Sequence, residues 1–433
     1  MTELRNVEAD AWRFRLRVFV LGVVVLLAFV LIAARLLVLQ VERHEDLAEQ
    51  AESNRTAIVP IVPNRGLIMD RNGVILATNY SAYTLEITPS RAMDLEETID
   101  GLAQIVDIQP RDRRRFKRLR EESRSFDSLP IRTRLSDEEV ARFAAQRYRF
   151  PGVEIKARLF RNYPLGQVGS HAIGYIGRIN QREKERIEDS DDAANYRGTD
   201  YIGKLGVEQS FEPTLHGQTG FERMETSAGG HAVRRLASHP ATPGNTVMLS
   251  LDIKLQRLIE DMFGERRGAL VAIDPRNGEV LALVSKPTFD PNLFVEGIDQ
   301  ENWQALNESI NKPLLNRALR GTYPPGSTYK PFMALAALEL KKRSPSLVIS
   351  DPGFFNYGGR TFRSHEGGLG GVDMHRAIQY SSNTYFYSLG VEIGVDAIHD
   401  FMKPLGFGQI TGIDLGGEVR GVLPSTEWKR NTY

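Results

Sequence analysis

The 433-residue sequence contains no cysteine, which excludes disulfide bonds, thiolate metal sites and cysteine nucleophiles. It has no net charge, because 55 basic side chains balance 55 acidic ones, so the overall charge favours no polyanionic partner. The sequence also lacks a Gly-x-x-x-x-Gly-Lys-Ser/Thr phosphate loop and a Gly-x-Ser-x-Gly elbow, so nucleotide hydrolysis and an α/β-hydrolase fold are unsupported. An apolar fraction of 41% is that of a globular protein with several domains.

One long apolar run lies near the amino end. Residues 18–34 include no charged or polar side chain, and after Arg35 the apolar residues continue to residue 39. The run is long enough to cross a bilayer, and no small-residue cleavage site follows it, so we expect an uncleaved anchor at 18–39. Three arginines precede the run: Arg13, Arg15 and Arg17. Positive charge stays in the cytoplasm, so residues 1–17 are predicted to be a cytoplasmic tail and the body to be exported.

A candidate nucleophile occurs in the sequence Ser327-Thr328-Tyr329-Lys330, between a Pro-Gly turn and an apolar run. Serine needs a base to become a nucleophile, and a lysine three residues further along a helix lies on the same face. The spacing predicts that Ser327 is the nucleophile and Lys330 its base, at the start of a helix. A helix-capping role is the structural alternative for Ser327. The same spacing recurs from Ser309 to Lys312, but that segment is polar and broken by Pro313, so we reject it.

A second motif, Ser381-Ser382-Asn383, follows downstream. A serine hydroxyl can relay a proton, and an asparagine amide can hold a substrate backbone by donating and accepting hydrogen bonds. Ordinary loop or capping chemistry is the alternative. Because the motif follows Ser327 in the same chain, we predict a catalytic role for Ser381 and a substrate-binding role for Asn383.

These motifs resemble those of the class B penicillin-binding proteins, which are monofunctional peptidoglycan D,D-transpeptidases, and most nearly the elongation-type penicillin-binding protein 2. Further blocks carry the resemblance over nearly the whole chain: Asn64–Ala77, Arg161–Pro164, His171–Gly177, Gly203–Glu208 and Gly217–Gly220. The Tyr-Pro-Pro-Gly-Ser-Thr sequence around Ser327 favours the elongation branch over the division branch.

The resemblance implies an α+β protein with an N-terminal transmembrane helix, an elongated mixed pedestal resembling a dimerisation domain at 45–245, and a transpeptidase domain at 246–433. Strand-like runs at 268–273 and 279–284 flank the turn signal Asp274–Gly278, which predicts an antiparallel hairpin ahead of a helical cluster.

The family's third active-site motif, Lys-Ser/Thr-Gly on a later strand, does not occur in this sequence. We therefore expect a C-terminally truncated chain whose last sheet strands are missing, or alternatively a natural short form without activity. A sheet without those strands exposes its edge and its core, so we expect residues 245–433 to be poorly stable in isolation.

The function implied is crosslinking of peptidoglycan stem peptides during cell elongation, through a serine acyl-enzyme that β-lactams inhibit. The first alternative is an inert scaffold that activates a membrane glycan polymerase, because the third motif is absent. The lesser alternative is a D,D-carboxypeptidase or β-lactamase, in which water replaces the acceptor amine. The implied partners are stem peptides, β-lactams, the glycan polymerase, elongation-complex scaffold proteins and the lipid bilayer, with no nucleic acid. The implied location is the cell (inner) membrane, crossed once.

Two weaker patterns favour ordinary structural roles. Four residues of zinc-ligand type, Asp351, His365, Asp373 and His375, lie within one stretch of the sequence. Asp373-x-His375 has no recognised ligand geometry, so we favour solvated or capping roles and predict no metal and no cofactor. The basic run Arg111–Arg124 is interpreted as a solvated helix face rather than a nucleic-acid patch.

Overall fold

The computed structural model describes residues 7–47, 55–92, 94–122, 128–226, 232–364 and 367–432. The chain forms two compact units. The first comprises Met1–Asn64, Glu185–Thr199 and Gly217–Pro243, and the second comprises Arg65–Lys184, Asp200–His216 and Gly244–Tyr433. The predicted domain limits at residues 45, 245 and 246 stay predictions.

Helices and strands both occur along the described chain, in agreement with the predicted α+β class. The α-helices are Val7–Leu37, Leu95–Leu102, Pro110–Glu122, Asp137–Gln146, Ser170–Ile173, Gln181–Glu188, Gly206–Ser210, Glu212–His216, Ile253–Phe263, Asn292–Val295, Gln300–Asn307, Arg317–Arg320, Lys330–Glu339, Met374–Gln379, Asn383–Ile393, Val395–Met402 and Thr426–Thr432. The strands are Thr56–Ile61, Ile68–Met69, Ile75–Ile87, Leu129–Leu135, Val153–Asn162, Ile176–Arg178, Tyr201–Gly203, Gly220–Thr226, Ala232–His239, Val247–Met248, Gly268–Ile273, Val280–Lys286, Ile349–Asp351, Phe354–Tyr357, Arg360–Arg363 and Gly370–Val372.

The first unit contains the N-terminal helix and a three-stranded antiparallel sheet. The helix Val7–Leu37 has exposed apolar side chains along its length, and by length and composition it is able to cross a membrane, as the sequence predicts. In the sheet, the strand Gly220–Thr226 lies between Thr56–Ile61 and Ala232–His239.

The second unit is organised around the long strand Ile75–Ile87, which pairs antiparallel with Leu129–Leu135 and Val153–Asn162. Its alternating side chains Leu85 and Ile87 are fully buried, as expected for the core face of a strand. The basic helix Pro110–Glu122 buries Phe116 in the same core and also buries Leu119, while most of its basic side chains stay at the surface, which fits the solvated-helix interpretation.

A buried charge cluster joins three of the sequence blocks described above. Glu208 is fully buried and accepts hydrogen bonds from Arg65 Nε at 2.6 Å, Arg161 Nε at 2.7 Å and the Tyr163 hydroxyl at 3.1 Å. Burial opposes the ionisation of Glu208, but the two guanidinium charges outweigh it and hold its pKa below the usual value. Gly66 beside Arg65 has no room for a side chain, because a Cβ would lie 1.9 Å from the backbone oxygen of Asn245.

The predicted hairpin is present in the second unit as the antiparallel strands Gly268–Ile273 and Val280–Lys286. The helix Ile253–Phe263 packs beside it. The buried Gln256 amide accepts a hydrogen bond from the backbone N–H of Leu283 and donates one to its carbonyl oxygen. The helical cluster follows, as expected. Two of its helices carry the predicted site residues: the Lys330 helix (Lys330–Glu339) and the Asn383 helix (Asn383–Ile393) share one apolar core.

Candidate active site

Ser327 lies in a tight turn that leads into the Lys330 helix. Gly326 has φ of +57°, and residues Gly326–Tyr329 form one 3-10 turn before the α-helix begins at Lys330. The predicted helix therefore starts three residues after Ser327, and the Ser327 side chain is exposed rather than capping a helix. Pro331 occupies the first helical turn, where proline is tolerated because no backbone donor is lost.

The Lys330 side chain is half-buried and is surrounded by oxygen acceptors. Its Nζ donates hydrogen bonds to Ser381 Oγ at 2.9 Å, to Asn383 Oδ1 at 2.7 Å and to the backbone oxygen of Ser381. The same nitrogen lies 5.6 Å from the centre of the Phe386 ring. Desolvation lowers the pKa of Lys330 from its usual value of 10.5, which favours the neutral amine that a base requires.

Ser381 joins the lysine to the candidate nucleophile. Its hydroxyl donates to Ser327 Oγ at 2.8 Å while accepting from Lys330 Nζ. The structure thus brings together the four residues selected from the sequence, Ser327, Lys330, Ser381 and Asn383. Within the described part of the chain no direct hydrogen bond joins Lys330 to Ser327; the Ser381 hydroxyl bonds to both.

Two buried polar side chains lie behind these residues: Asp351, for which the sequence analysis favoured a solvated or capping role, and Arg343, which it did not single out. Asp351 accepts a hydrogen bond from Ser382 Oγ at 2.5 Å, and both residues are buried. Arg343, beyond the end of the Lys330 helix, donates to Tyr385 O at 3.2 Å and Ser388 Oγ at 3.0 Å on the Asn383 helix. The sequence signal for Asp351 was its Asp-Pro-Gly context, typical of a turn in which the carboxylate bonds nearby backbone.

The rejected and weaker candidates occupy other places. The segment from Ser309 to Lys312 is a turn outside any helix, in agreement with its rejection. Asp373 caps the helix Met374–Gln379, where its side chain accepts from Arg376 N. His365 lies outside the described residues, and no cluster of three metal-ligating side chains occurs among those that are described.

A large cavity of the second unit lies away from this constellation. Its volume is about 1260 Å³, and neither Ser327, Lys330, Ser381 nor Asn383 lines it. The lining is mainly apolar and includes Leu249, Leu251, Leu283, Leu319 and Leu415. The candidate site is therefore defined by its hydrogen-bonded side chains rather than by this cavity.

Comparison with protein families divides the chain into two matched regions. Residues 60–249 match the penicillin-binding protein dimerisation domain, and residues 268–433 match the penicillin-binding protein transpeptidase domain. Residues 250–267 lie between the two matches.

Curated relatives cover the whole length of the chain. The peptidoglycan D,D-transpeptidase MrdA of Escherichia coli is 40% identical over 432 residues, which are 99% of this chain and 68% of that protein. MrdA of Acinetobacter baumannii is 39% identical over 99% of this chain and 64% of its own length. The chain thus spans about two thirds of the length of these relatives.

Solved structures show the same fold. A complex of penicillin-binding protein 2 with MreC from Helicobacter pylori has a TM-score of 0.74 at 28% identity, covering 87% of this chain and 71% of that one. Pseudomonas aeruginosa penicillin-binding protein 2 in complex with WCK 5153 has a TM-score of 0.61 at 35% identity, covering 87% of this chain and 63% of that one.

Proposed function

The chain belongs to the class B penicillin-binding proteins of the elongation type, and from that premise we propose that it crosslinks peptidoglycan stem peptides through an acyl ester on Ser327. The observation that carries this proposal is the hydrogen-bonded series Ser327–Ser381–Lys330, with Asn383 beside it. It supplies a nucleophile, a relay and a desolvated amine without histidine.

In the proposed acylation, Ser327 Oγ attacks the carbonyl carbon of the penultimate D-Ala of a donor peptide. Neutral Lys330 accepts the Ser327 proton through the Ser381 hydroxyl, and the backbone N–H of Ser327 donates to the oxyanion. The peptide C–N bond then breaks, and Ser381 passes the proton to the departing D-Ala amine. Asn383 holds the donor backbone through its amide.

Deacylation completes the proposed cycle. An amine of a neighbouring stem peptide attacks the ester carbonyl, its surplus proton returns through Ser381 to the Ser327 oxygen, and the crosslink leaves with Lys330 neutral again. A β-lactam acylates the same serine when its ring amide opens, and the ring nitrogen takes the proton.

The proposed setting is the cell membrane, with the body outside the cytoplasm. The Val7–Leu37 helix supports a single crossing, and the three arginines in its first part, ahead of the apolar run at 18–34, support a cytoplasmic amino end. A reporter enzyme active only outside the cytoplasm should be active when fused after residue 47. Activity of that reporter when it is fused at residue 1 would show the opposite orientation.

The proposed partners dock on the region 45–245. One structural relative is a complex with MreC, which supports a scaffold protein of that kind as a partner of this chain, alongside a membrane glycan polymerase. Co-purification of the chain with each protein tests this, with a deletion of residues 55–245 as the control. Equal recovery with the deleted chain would contradict the proposal.

A second candidate function is a scaffold that activates the glycan polymerase without chemistry of its own. The observation in its favour is that residues 60–249 match a dimerisation domain. A D,D-carboxypeptidase is the third candidate, and it differs by releasing D-Ala without forming crosslinks.

Labelling of the protein with a fluorescent penicillin tests the proposed chemistry. We expect the protein to label, and Ser327→Ala to abolish labelling. Ser309→Ala is the matched control, since it removes a serine of the same spacing, and it should label normally. An adduct that mass spectrometry locates on any other peptide would overturn the assignment of Ser327. If the protein never labels, the scaffold function remains as the proposal.

A further inference from the structure

The turn that carries Ser381 has an unusual backbone. Ser381 has φ of +53°, in the left-handed region that non-glycine residues keep only where their surroundings impose it. Lys330 contacts Ser381 from one side. On the other side, the next residue, Ser382, is fully buried, and its hydroxyl donates to Asp351 Oδ2 at 2.5 Å.

We propose that Asp351 is a positioning residue for acyl transfer, because through Ser382 it fixes the turn that presents Ser381 and Asn383 to Ser327 and Lys330. The inference rests on the proposed function and adds to it a residue that touches none of the reacting atoms.

The Asp351 carboxylate is held by fixed donors. The residue is only 1% exposed, its Oδ2 accepts from Ser382 Oγ, and its Oδ1 accepts from the backbone N–H of Gly353 at 2.8 Å. No ion pair links it to a basic side chain within the described ranges. Hydrogen bonds to a carboxylate are stronger than those between neutral groups, and a buried one has no competing water. Asp351 is therefore a rigid acceptor for Ser382.

Ser382 transmits this constraint in two directions. Its Oγ accepts from the backbone N–H of Tyr385 at 3.1 Å, so Ser382 is the N-cap of the Asn383 helix. Its own backbone N–H donates to Ala377 O at 2.9 Å. With the hydroxyl hydrogen directed at Asp351, its lone pairs remain for Tyr385, and the start of the helix that carries Asn383 is fixed.

The chain path explains how one hydrogen bond controls the turn. Asp351 ends the strand Ile349–Asp351, which pairs with Gly370–Val372. That second strand leads into the helix Met374–Gln379, which ends just before Ser381. The hydrogen bond from Ser382 to Asp351 joins residues 31 positions apart, and it links the turn directly to the end of the first strand. Without it, the turn loses its side-chain link to the end of the strand Ile349–Asp351.

The kinetic test uses the protein with fluorescent penicillin as the probe. Asp351→Ala should slow acylation of Ser327 by about 10- to 100-fold while the final labelled fraction stays equal to that of the wild type, because small misplacements of reacting groups carry costs of that size. Asp351→Asn should recover most of the rate, since its amide oxygen still accepts from Ser382. Ser382→Ala should behave as Asp351→Ala does, and it replaces that variant if the latter fails to fold.

Asp373→Ala is the matched control. Asp373 is the N-cap of the helix just before the turn, where its side chain accepts a hydrogen bond from Arg376 N at 2.8 Å. Its replacement therefore weakens the same segment and leaves the hydrogen bond from Ser382 to Asp351 in place. Its acylation rate should equal that of the wild type. A reduced labelled fraction at an unchanged rate in Asp351→Ala would show a role in folding alone and overturn the proposal.

Hydrogen–deuterium exchange of the protein without penicillin separates this inference from the proposed function. The amides of residues 382–387 should exchange at least about 10-fold faster in Asp351→Ala than in the wild type, because the cap loses its anchor. Unchanged exchange would overturn the positioning role even if Ser327 is acylated. A wild-type protein that never labels would overturn the proposed function, while the exchange result would still decide whether Asp351 holds the turn.

Discussion

The Ser381 hydroxyl lies 2.8 Å from Ser327 Oγ, although the two serines are 54 residues apart in the sequence. The same hydroxyl lies 2.9 Å from Lys330 Nζ. Two hydrogen bonds therefore connect the Lys330 amine to the Ser327 hydroxyl through the Ser381 hydroxyl. This arrangement makes Ser381 as important to the proposed proton transfer as Lys330 itself.

Replacing Ser381 by alanine or by glycine removes the same hydroxyl from two different backbones. We expect both variants to slow acylation by about 100-fold or more, because the relay is lost. The glycine variant should melt at the higher temperature of the two, since glycine adopts φ of +53° without strain. Stopped-flow labelling and calorimetry measure the two effects. An alanine variant that is acylated at the wild-type rate would show that Ser381 is not part of the relay.

The pH dependence of acylation should report Lys330. Desolvation lowers its pKa below 10.5, so the rate should rise with pH as the amine loses its proton and level off below pH 10.5. The folded state then binds fewer protons at this site than the unfolded state, so this lysine makes the free energy of unfolding increase with pH between its two pKa values.

Lys330→Arg is the matched variant for this profile. Arginine keeps a positive charge at every accessible pH, so acylation should be lost throughout. Rapid-mixing assays of the wild type from about pH 6 to about pH 10 provide the curve. A flat profile would argue against a titrating amine as the base.

Arg343 should stabilise the pair of helices that carry the site. Its side chain is 5% exposed and donates to Tyr385 O, Ser388 Oγ and Glu392 Oε2. Arg343→Ala should lower the free energy of unfolding by about 2–3 kcal/mol, because these hydrogen bonds are lost in a buried place. The exposed Arg376→Ala should change it by less than about 0.5 kcal/mol. Urea denaturation compares them, and equal losses would refute the assignment.

Glu208→Gln should be more damaging than its size suggests. It removes the charge that pairs with both Arg65 and Arg161, so Arg161 faces a neutral amide while Arg65 keeps only its pair with Glu212. We expect a loss of about 3–5 kcal/mol in the free energy of unfolding. Glu279→Gln is the control, because its pair with Arg71 is exposed and should contribute less than about 1 kcal/mol. Chemical denaturation distinguishes the two, and a neutral Glu208→Gln would contradict the buried-charge argument.

Local patterns predicted much of the secondary structure. The run Ile253–Phe263 has helical spacing and forms a helix with those limits, capped by Asp252. The turn signal at Asp274–Gly278 lies between two antiparallel strands, as predicted. These elements depend on residues within a few positions of each other, so the sequence carries their signal directly.

The start of the Lys330 helix was less accurately predicted. The Pro-Gly sequence and Ser327 indicated a helix beginning at Ser327, whereas the structure has a 3-10 turn there and begins the helix at Lys330. Helix ends commonly tighten in this way, because the first residues lack intrahelical partners.

The sequence by itself determined which chemistry is available: a serine and a lysine three positions apart, a downstream Ser-x-Asn, an apolar run able to cross a membrane, and no thiol. Each of these follows from composition or short spacing. Only the tertiary structure decided that Ser381 stands between Ser327 and Lys330, and that Asp351 lies behind it and bonds to Ser382. Those contacts join residues 31 to 54 positions apart, and packing, not the preference of serine, imposes the left-handed backbone at Ser381.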